Sequence, residues 1–549
     1  MGLRHALALA PLALAGSLSA QNNEVVEKII ALERENPKVM EHLAYLTENI
    51  GPRLTGSPGQ LRAAEWARQT FEEMGLEAWV EEWGTFPVGY LRGPASGKMI
   101  EPVVFDLAFT TNAWTAGTPG PVRGDAMLMP LSAEDVREFA DDFAGKWIVD
   151  WPADIDGAPN RREMRSIVQA LDEIDIAGRV TNANTGEFLY AFGNYRIEWD
   201  DLPKTCTINL IQDQYEDLTE KLLAEKEVVL EFDVDNRFLP GPFPCTNVIA
   251  ELKGTEWPDE YVVVGGHIDS WDPARGAQDN GTGCATTIEA ARLLTEVGAR
   301  PKRSIRFMLW SGEEQGLMGS RAYTEMHPEE MERISAVYVH DAGTNYLSSI
   351  SGPAALIPQL QTALEPVLTL DPSMPFSINE ISGLSRQGSS DHSSFIQAGV
   401  PGFAWGQTGR TSYRFSWHTQ FDTIDYVVPE YQQQSSMIAA IAAYNTANLP
   451  EMLDRTNLVD ENAGNRRGPR NGRRMGVFLD GTEITGLADG GRAEQAGWEV
   501  GDVIVAIDGV AVASQRDIVS ELQKGGPKKT IKLKRGEEEV ESVLDYSDN

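Results

Sequence analysis

At 549 residues, with 42% apolar and 8% aromatic side chains, the chain is too long for one hydrophobic core and too apolar for disorder, so several packed domains are expected. A formal net charge of −35, from 82 acidic against 47 basic residues, repels phosphate backbones and anionic bilayers, which argues against nucleic-acid partners. No stretch has the ~20 uninterrupted apolar residues of a membrane span, and three cysteines are too few for a disulfide scaffold.

In chain order, residues 1–20 read as a secretory signal. Arg4 and His5 precede the apolar run ALALAPLALAG, and Leu18-Ser19-Ala20 offers small residues for cleavage, so an exported protein, periplasmic or extracellular, is expected. EVVEKIIALER, PKVMEHLAYLTENI and PGQLRAAEWARQTFEEMG carry helical periodicity, the last closed by Gly75. Leu76 to Trp83 reads as a strand. From about Gly84 to Pro244 short strands with frequent Gly, Pro and Asp (GKWIVDW, EVVLEFDV) suggest a β-rich module. From Thr246 the pattern alternates: NVIAEL, YVVVGGH, SIRFMLWSG and SAVYVHDAG as strands, TTIEAARLLTEV as a helix. This predicts an α/β fold with a mixed, mostly parallel sheet covered by helices, which places ligands at the carboxyl ends of its strands. DENAGNRRGPRNGR, within 451–473, reads as a polar linker, and 474–549 as a compact run of short strands with one helix at RDIVSELQKG.

Chemistry-bearing residues collect at the predicted strand ends. His267 ends YVVVGG, and Asp269, two residues on and thus on the same side, can hold its imidazole. Asp279 lies in the glycine-rich GAQDNGTG. Glu313 and Glu314 end SIRFMLW, where two adjacent carboxylates are costly without a cation, and being adjacent they point in different directions. Asp341 ends SAVYVH, and His418 sits in SWHTQFDT. Five N/O ligands from five strand ends or loops (His267, Asp279, Glu314, Asp341, His418) suit two divalent ions sharing a carboxylate.

GGHIDSWDPARGAQDNGTG, LWSGEEQGLMGS, DAGTNY, SSDHSSFIQAGVPG and SWHTQFDT resemble the signature blocks of the co-catalytic zinc exopeptidases, the family of bacterial leucyl aminopeptidase and plasma glutamate carboxypeptidase, over roughly Glu24 to Leu453. The resemblance implies two Zn2+ per chain, with Mn2+ or Co2+ as alternatives. It implies Asp279 as the bridging ligand, His267 and Asp341 on one ion, Glu314 and His418 on the other, Glu313 as general base, Asp269 as the partner of His267, and a cis bond after Asp279. It implies a catalytic domain over 21–89 and 241–450, a protease-associated-like insert over 90–240, and hydrolysis of short peptides or dipeptides. The bacterial pattern has a carbonyl-polarising Tyr at about Gln387, leaving Gln387 or Tyr413 to serve the oxyanion; Asp391 and His392 belong to a block lining the site. Arg386, Arg410 and Arg414 are candidates for a substrate carboxylate.

Residues 474–549 resemble a PDZ domain, a β-barrel-like fold. Arg474-Met475-Gly476-Val477 matches its carboxylate-binding loop, and VGDVIVAIDGVAV its most recognisable stretch, which implies a C-terminal peptide as partner. Two other readings stand beside the hydrolase: a glutaminyl cyclase using one zinc on this scaffold, and a non-catalytic receptor ectodomain. His340 is expected to face away from the site, and His42 and His327 to have no partners. Cys206 and Cys245 are left open as a disulfide, and Cys284 reads as a small buried residue.

Overall fold

Three apolar runs form the centre of a large sheet because their residues are buried on both faces, as strands covered by helices on each side must be. They are β3 (Trp257–His267), β4 (Arg303–Trp310) and β5 (Ile334–Val339), and every residue of β4 and β5 is buried. The computed structural model describes residues 10–152, 155, 157–183, 186–341, 343–460, 475–487, 491–536 and 538–546. Arg4 and His5 of the expected signal, linker residues 461–473, Arg474 and Ala342 lie outside the described residues; residues 10–20 of the signal are helical, in α1 (Ala10–Glu35).

β5, β3 and β4 run parallel, with β6 (Gly402–Ala404) parallel to β5 at the edge. On the other side β4 meets β2 (Val229–Leu252) antiparallel, and β2 pairs antiparallel with β1 (Glu77–Glu101). The predicted strand Leu76–Trp83 is therefore only the first part of a longer one. β1 and β2 form a ribbon that runs across residues 90 and 240 and carries the chain into the inserted region. There Val122–Leu128, Trp147–Val149, Gly178–Asn182 and Thr207–Leu210 extend the same sheet. Helices Arg161–Leu171 and Gln212–Leu223 lie between those strands in sequence, and this region has its own core around Trp147, Phe232 and Leu210.

α2 (Pro58–Glu73) starts where Ser57 accepts a hydrogen bond from the Gln60 N–H and Pro58 pre-sets the first turn. α3 (Thr282–Glu296) and α5 (Pro429–Ala447) are buried along nearly their whole length, and with α1 and α2 they cover one face of the sheet in the main core. α4 (Met318–Met326) follows β4. The opposite face packs Trp310, Tyr323 and Phe395. Among the described residues no helix is long and apolar enough to cross a membrane.

Residues 462–549 form a separate unit. Its strands Val477–Asp480, Glu483–Leu487, Val503–Ile507, Lys528–Arg535 and Glu538–Asp545 pair antiparallel in that order. Helix Gln515–Gln523 is capped by Ser514, and Ile484, Ile504, Ile507, Ile531 and Leu533 centre its core.

Candidate metal centre

The parallel strands deliver their next residues to one edge of the sheet. His267 ends β3, Glu313 and Glu314 follow β4, and Asp341 follows β5. Asp279 comes from the turn Ala277–Gly281 that leads into α3, and its bond to Asn280 is cis. That turn is fastened at several points. Asp422 accepts from the Gln278 N–H (2.6 Å) and the Asp279 N–H (3.3 Å), while Asn280 Nδ2 donates to the His340 carbonyl (2.8 Å). His418 lies beyond the short helix Tyr413–Ser416 at φ 58°, a backbone region that non-glycine residues adopt at a cost. Its carbonyl accepts from the Ala191 N–H of the inserted region (2.9 Å).

Five residues far apart in sequence thus form two groups that share Asp279. His267 Nε2 lies 3.2 Å from Asp279 Oδ1 and 3.5 Å from Asp341 Oδ1; His418 Nε2 lies 3.4 Å from Asp279 Oδ2 and 2.9 Å from Glu314 Oε2. Asp279 gives one oxygen to each group, and within each group the three ligand atoms lie within 4.8 Å of one another. A tetrahedral ion with bonds of ~2.0–2.2 Å sets its donors about 3.3–3.6 Å apart; the contacts of 3.4 and 3.5 Å fall in that range, and the 3.2 Å contact lies just below it. His267 Nε2 and Glu314 Oε1 are buried and make no hydrogen bond. An orphaned buried atom in each group fits a divalent cation, and a set of imidazoles and carboxylates fits zinc.

The protonation pattern carries the same message. Burial pushes Glu313 well above the usual carboxylate range and Glu314 up to about 7, with neighbouring acids adding to both. Burial opposes charge on His267 and His418, but adjacent carboxylates outweigh it: His267 is held well above its ordinary value and His418 at about 10. Burial also works against an ionised Asp279, yet the two imidazoles keep it low. Several buried acids concentrated in one place call for compensating positive charge.

The support of His267 is more distributed than alternation predicted. β3 ends at His267, so the imidazole Nδ1 is nearest the Asp269 backbone carbonyl, 3.0 Å, with the Asp269 carboxylate at 3.5 Å. That carboxylate accepts from Thr55 Oγ1 (2.9 Å) and from the Glu313 and Glu314 N–H groups, each at 3.4 Å. Asp269 therefore ties the end of β3 to the turn after β4. Arg53, fully buried, donates to the carbonyls of Ile268, Arg275 and Gly276 at 2.8, 2.8 and 2.6 Å, clamping both arms of the loop.

The groups open into a cleft of about 590 Å³ lined by Asp279, Glu313, Glu314, Asp341 and His418 together with Leu317, Arg321, Gly388, Ser389, Tyr413 and Trp417. Of the oxyanion candidates Tyr413 lines it. Gln387 does not: the loop exposes Arg386 and Gln387 to solvent, and their neighbours Gly388 and Ser389 face the cleft instead. Asp391 is buried and outside the lining, its carboxyl pushed up to about 7, first by burial. Arg410 and Arg414 are exposed and outside the lining as well, Arg410 lying over the Tyr431 ring. His340 is buried and makes no side-chain hydrogen bond. Two histidines expected to be idle have partners: His42 meets Glu289 at 3.2 Å and His327 meets Glu81 at 2.9 Å. Cys206 and Cys245 are free thiols in different cores, and Cys284 is a buried one.

The sequence reading missed Arg321, Trp417 and the segment 187–193. In that segment Phe192 packs edge-on against His418 (ring centroids 5.3 Å), the Leu189 N–H donates to Gln420 Oε1 (2.8 Å), and Gln420 Nε2 donates to the Glu187 carbonyl (2.8 Å). The aromatic run FLYAF was the available signal.

Residues 247–443 match the sequence profile of peptidase family M28, and residues 483–535 that of the PDZ domain. Carboxypeptidase Q from Mus musculus is 27% identical over 417 residues, covering 76% of this chain and 87% of that protein. Among solved structures, a peptidase M28 precursor from Shewanella amazonensis SB2B is 24% identical with a TM-score of 0.57, over 79% of this chain and 98% of that one. A zinc aminopeptidase from Bacillus subtilis is 21% identical with a TM-score of 0.50, over 77% and 97%. Both share the fold.

Proposed function

We propose, from the match of residues 247–443 to the profile of peptidase family M28, that this protein is an exported zinc exopeptidase that hydrolyses short peptides. One observation carries the reading: the two carboxylate oxygens of Asp279 face two separate ligand groups, His267 with Asp341 and His418 with Glu314. Two ions bound there would supply Lewis acidity toward a peptide carbonyl and bring a water's pKa toward neutrality.

The protein's own part follows from position. Glu313 lines the cleft without belonging to either ligand group, and its raised proton affinity suits a group that takes a proton from the attacking water and hands it to the leaving amine. Asp269 and Thr55 keep His267 and the Glu313–Glu314 turn in register. Tyr413, held protonated well above its ordinary value by burial and then by Asp279 and Asp341, is a hydroxyl donor for the developing oxyanion. The likeness to mouse carboxypeptidase Q over most of both chains supports the exopeptidase class. A glutaminyl cyclase needs only one of the two ligand groups, and a receptor needs neither.

The C-terminal unit is proposed to capture peptide C-termini by strand addition. Gly476, at φ 81°, turns the chain into the strand Val477–Asp480, which pairs with Glu483–Leu487 along one edge. The decisive experiment combines metal analysis with turnover of free dipeptides, N-blocked and C-blocked peptides, and N-terminal glutaminyl peptides. Near two zinc per chain with hydrolysis of unblocked peptides is expected; one zinc with pyroglutamyl product overturns the reading.

A further inference from the structure

We infer that Arg321 anchors the free C-terminal carboxylate of a short peptide substrate. This rests on the hydrolase reading above and adds a positioning residue to it.

Among the described residues Arg321 is the one lysine or arginine lining the cleft, whose other charged members are Asp279, Glu313, Glu314, Asp341 and His418. Its placement follows from the turn after β4. The Glu313 backbone carbonyl accepts from the N–H groups of Gly316 (2.8 Å) and Leu317 (3.0 Å), Gly316 and Leu317 take positive φ of 112° and 60°, and α4 begins at Met318. Arg321 lies in the first turns of α4, and its Nη2 folds back to donate to the Gly316 carbonyl at 3.2 Å. Two hydrogen bonds, Arg321 Nη2 to the Gly316 carbonyl and the Gly316 N–H to the Glu313 carbonyl, therefore tie the guanidinium to the backbone of the turn that carries Glu313.

The guanidinium is exposed and makes no ion pair among the described residues, in a chain with 82 acidic side chains. It stands at the cleft as one of the lining residues. A cleft floored by carboxylates repels a substrate carboxylate unless a cation answers it, and the planar fork of arginine matches that group. An aminopeptidase working on long chains has no use for such a cation, because its substrate's terminal carboxylate lies far from the cleft. A cleft of about 590 Å³ is the size of a small-molecule site.

The test is kcat and KM for alanyl-leucine and for its C-terminal amide, measured on zinc-loaded wild type, Arg321→Ala and Arg321→Lys. Losing a bidentate charged contact should raise KM for the free dipeptide by about 10- to 100-fold and leave the amide unchanged, with Arg321→Lys in between. If Arg321→Ala leaves the free dipeptide unchanged, or weakens both substrates equally, the assignment of Arg321 is overturned while the hydrolase reading stands. A wild type that cleaves neither substrate overturns both.

Discussion

Helix α3 separates two buried acid clusters that differ in one respect. Midway along it Glu289 and, from α1, Glu33, both fully buried, are answered from within the protein. Arg292 grips Glu289 through two contacts, 2.8 and 2.7 Å, and reaches Glu33 at 3.4 Å; the Lys38 N–H (2.7 Å) and His42 (3.2 Å) complete the set. In β4, Arg306 likewise holds Glu251 at 2.9 Å and Glu330 at 2.6 Å. Ahead of α3, by contrast, the ion pairs of Asp279 and Glu314 among the described residues are with imidazoles alone. Burying carboxylates costs several kcal/mol each unless paired. A cluster that carries its own arginine is structural, whereas one that gathers acids and histidines without an arginine or lysine is built to be completed from outside.

The largest effects should come from breaking that distinction at Asp279. Chelation is expected to abolish hydrolysis and lower the melting temperature, and zinc to restore both. Asp279→Asn should lose both ions, as read by metal analysis after dialysis, because one side chain serves both groups. A variant retaining two stoichiometric ions would refute the shared-carboxylate arrangement. Next, Glu313→Gln should keep both metals and the wild-type melting curve yet lose about 100- to 10,000-fold in kcat. Near-normal turnover would remove Glu313 from the mechanism. At the self-sufficient cluster, Arg292→Met should destabilise the fold by about 3–5 kcal/mol with no rescue by zinc; zinc rescue would erase the contrast.

Much of the metal cluster was legible because parallel strands enforce it. A buried apolar run must end where polar residues begin, so His267, Glu313, Glu314 and Asp341 announce themselves as the first charges after β3, β4 and β5. The partners that no local pattern carries stayed hidden. Glu289 lies 247 residues from His42, so the sequence left that histidine idle. Arg321 carries no local signal in the sequence, and only the turn at Gly316 and Leu317, which starts α4, brings it to the cleft. Gln387 failed for the converse reason: the residue sits where the family's tyrosine would, but the loop turns its side chain to solvent. The inserted region was read as a separate β-rich module, and nothing in its periodicity shows that Ala191 and Phe192 pack on His418.

The smallest predicted effect sharpens the comparison most finely, because it asks whether the structural cluster is fully balanced. Glu33 is raised well above its ordinary value of 4.5, first by burial and then by Glu289. A folded-state pKa above the unfolded one contributes stability that is complete below the unfolded value and is lost as pH climbs toward the folded one. Wild type should therefore weaken steadily from about pH 4.5 upward on account of this group, while Glu33→Gln, which keeps a donor toward Glu289 without a proton to lose, should not. The melting-temperature difference, variant minus wild type, is expected near zero at pH 4 and positive by on the order of 1–2 °C at pH 8–9. A difference that stays flat with pH would mean that Arg292 balances both carboxylates, and that the cluster holds no proton of its own.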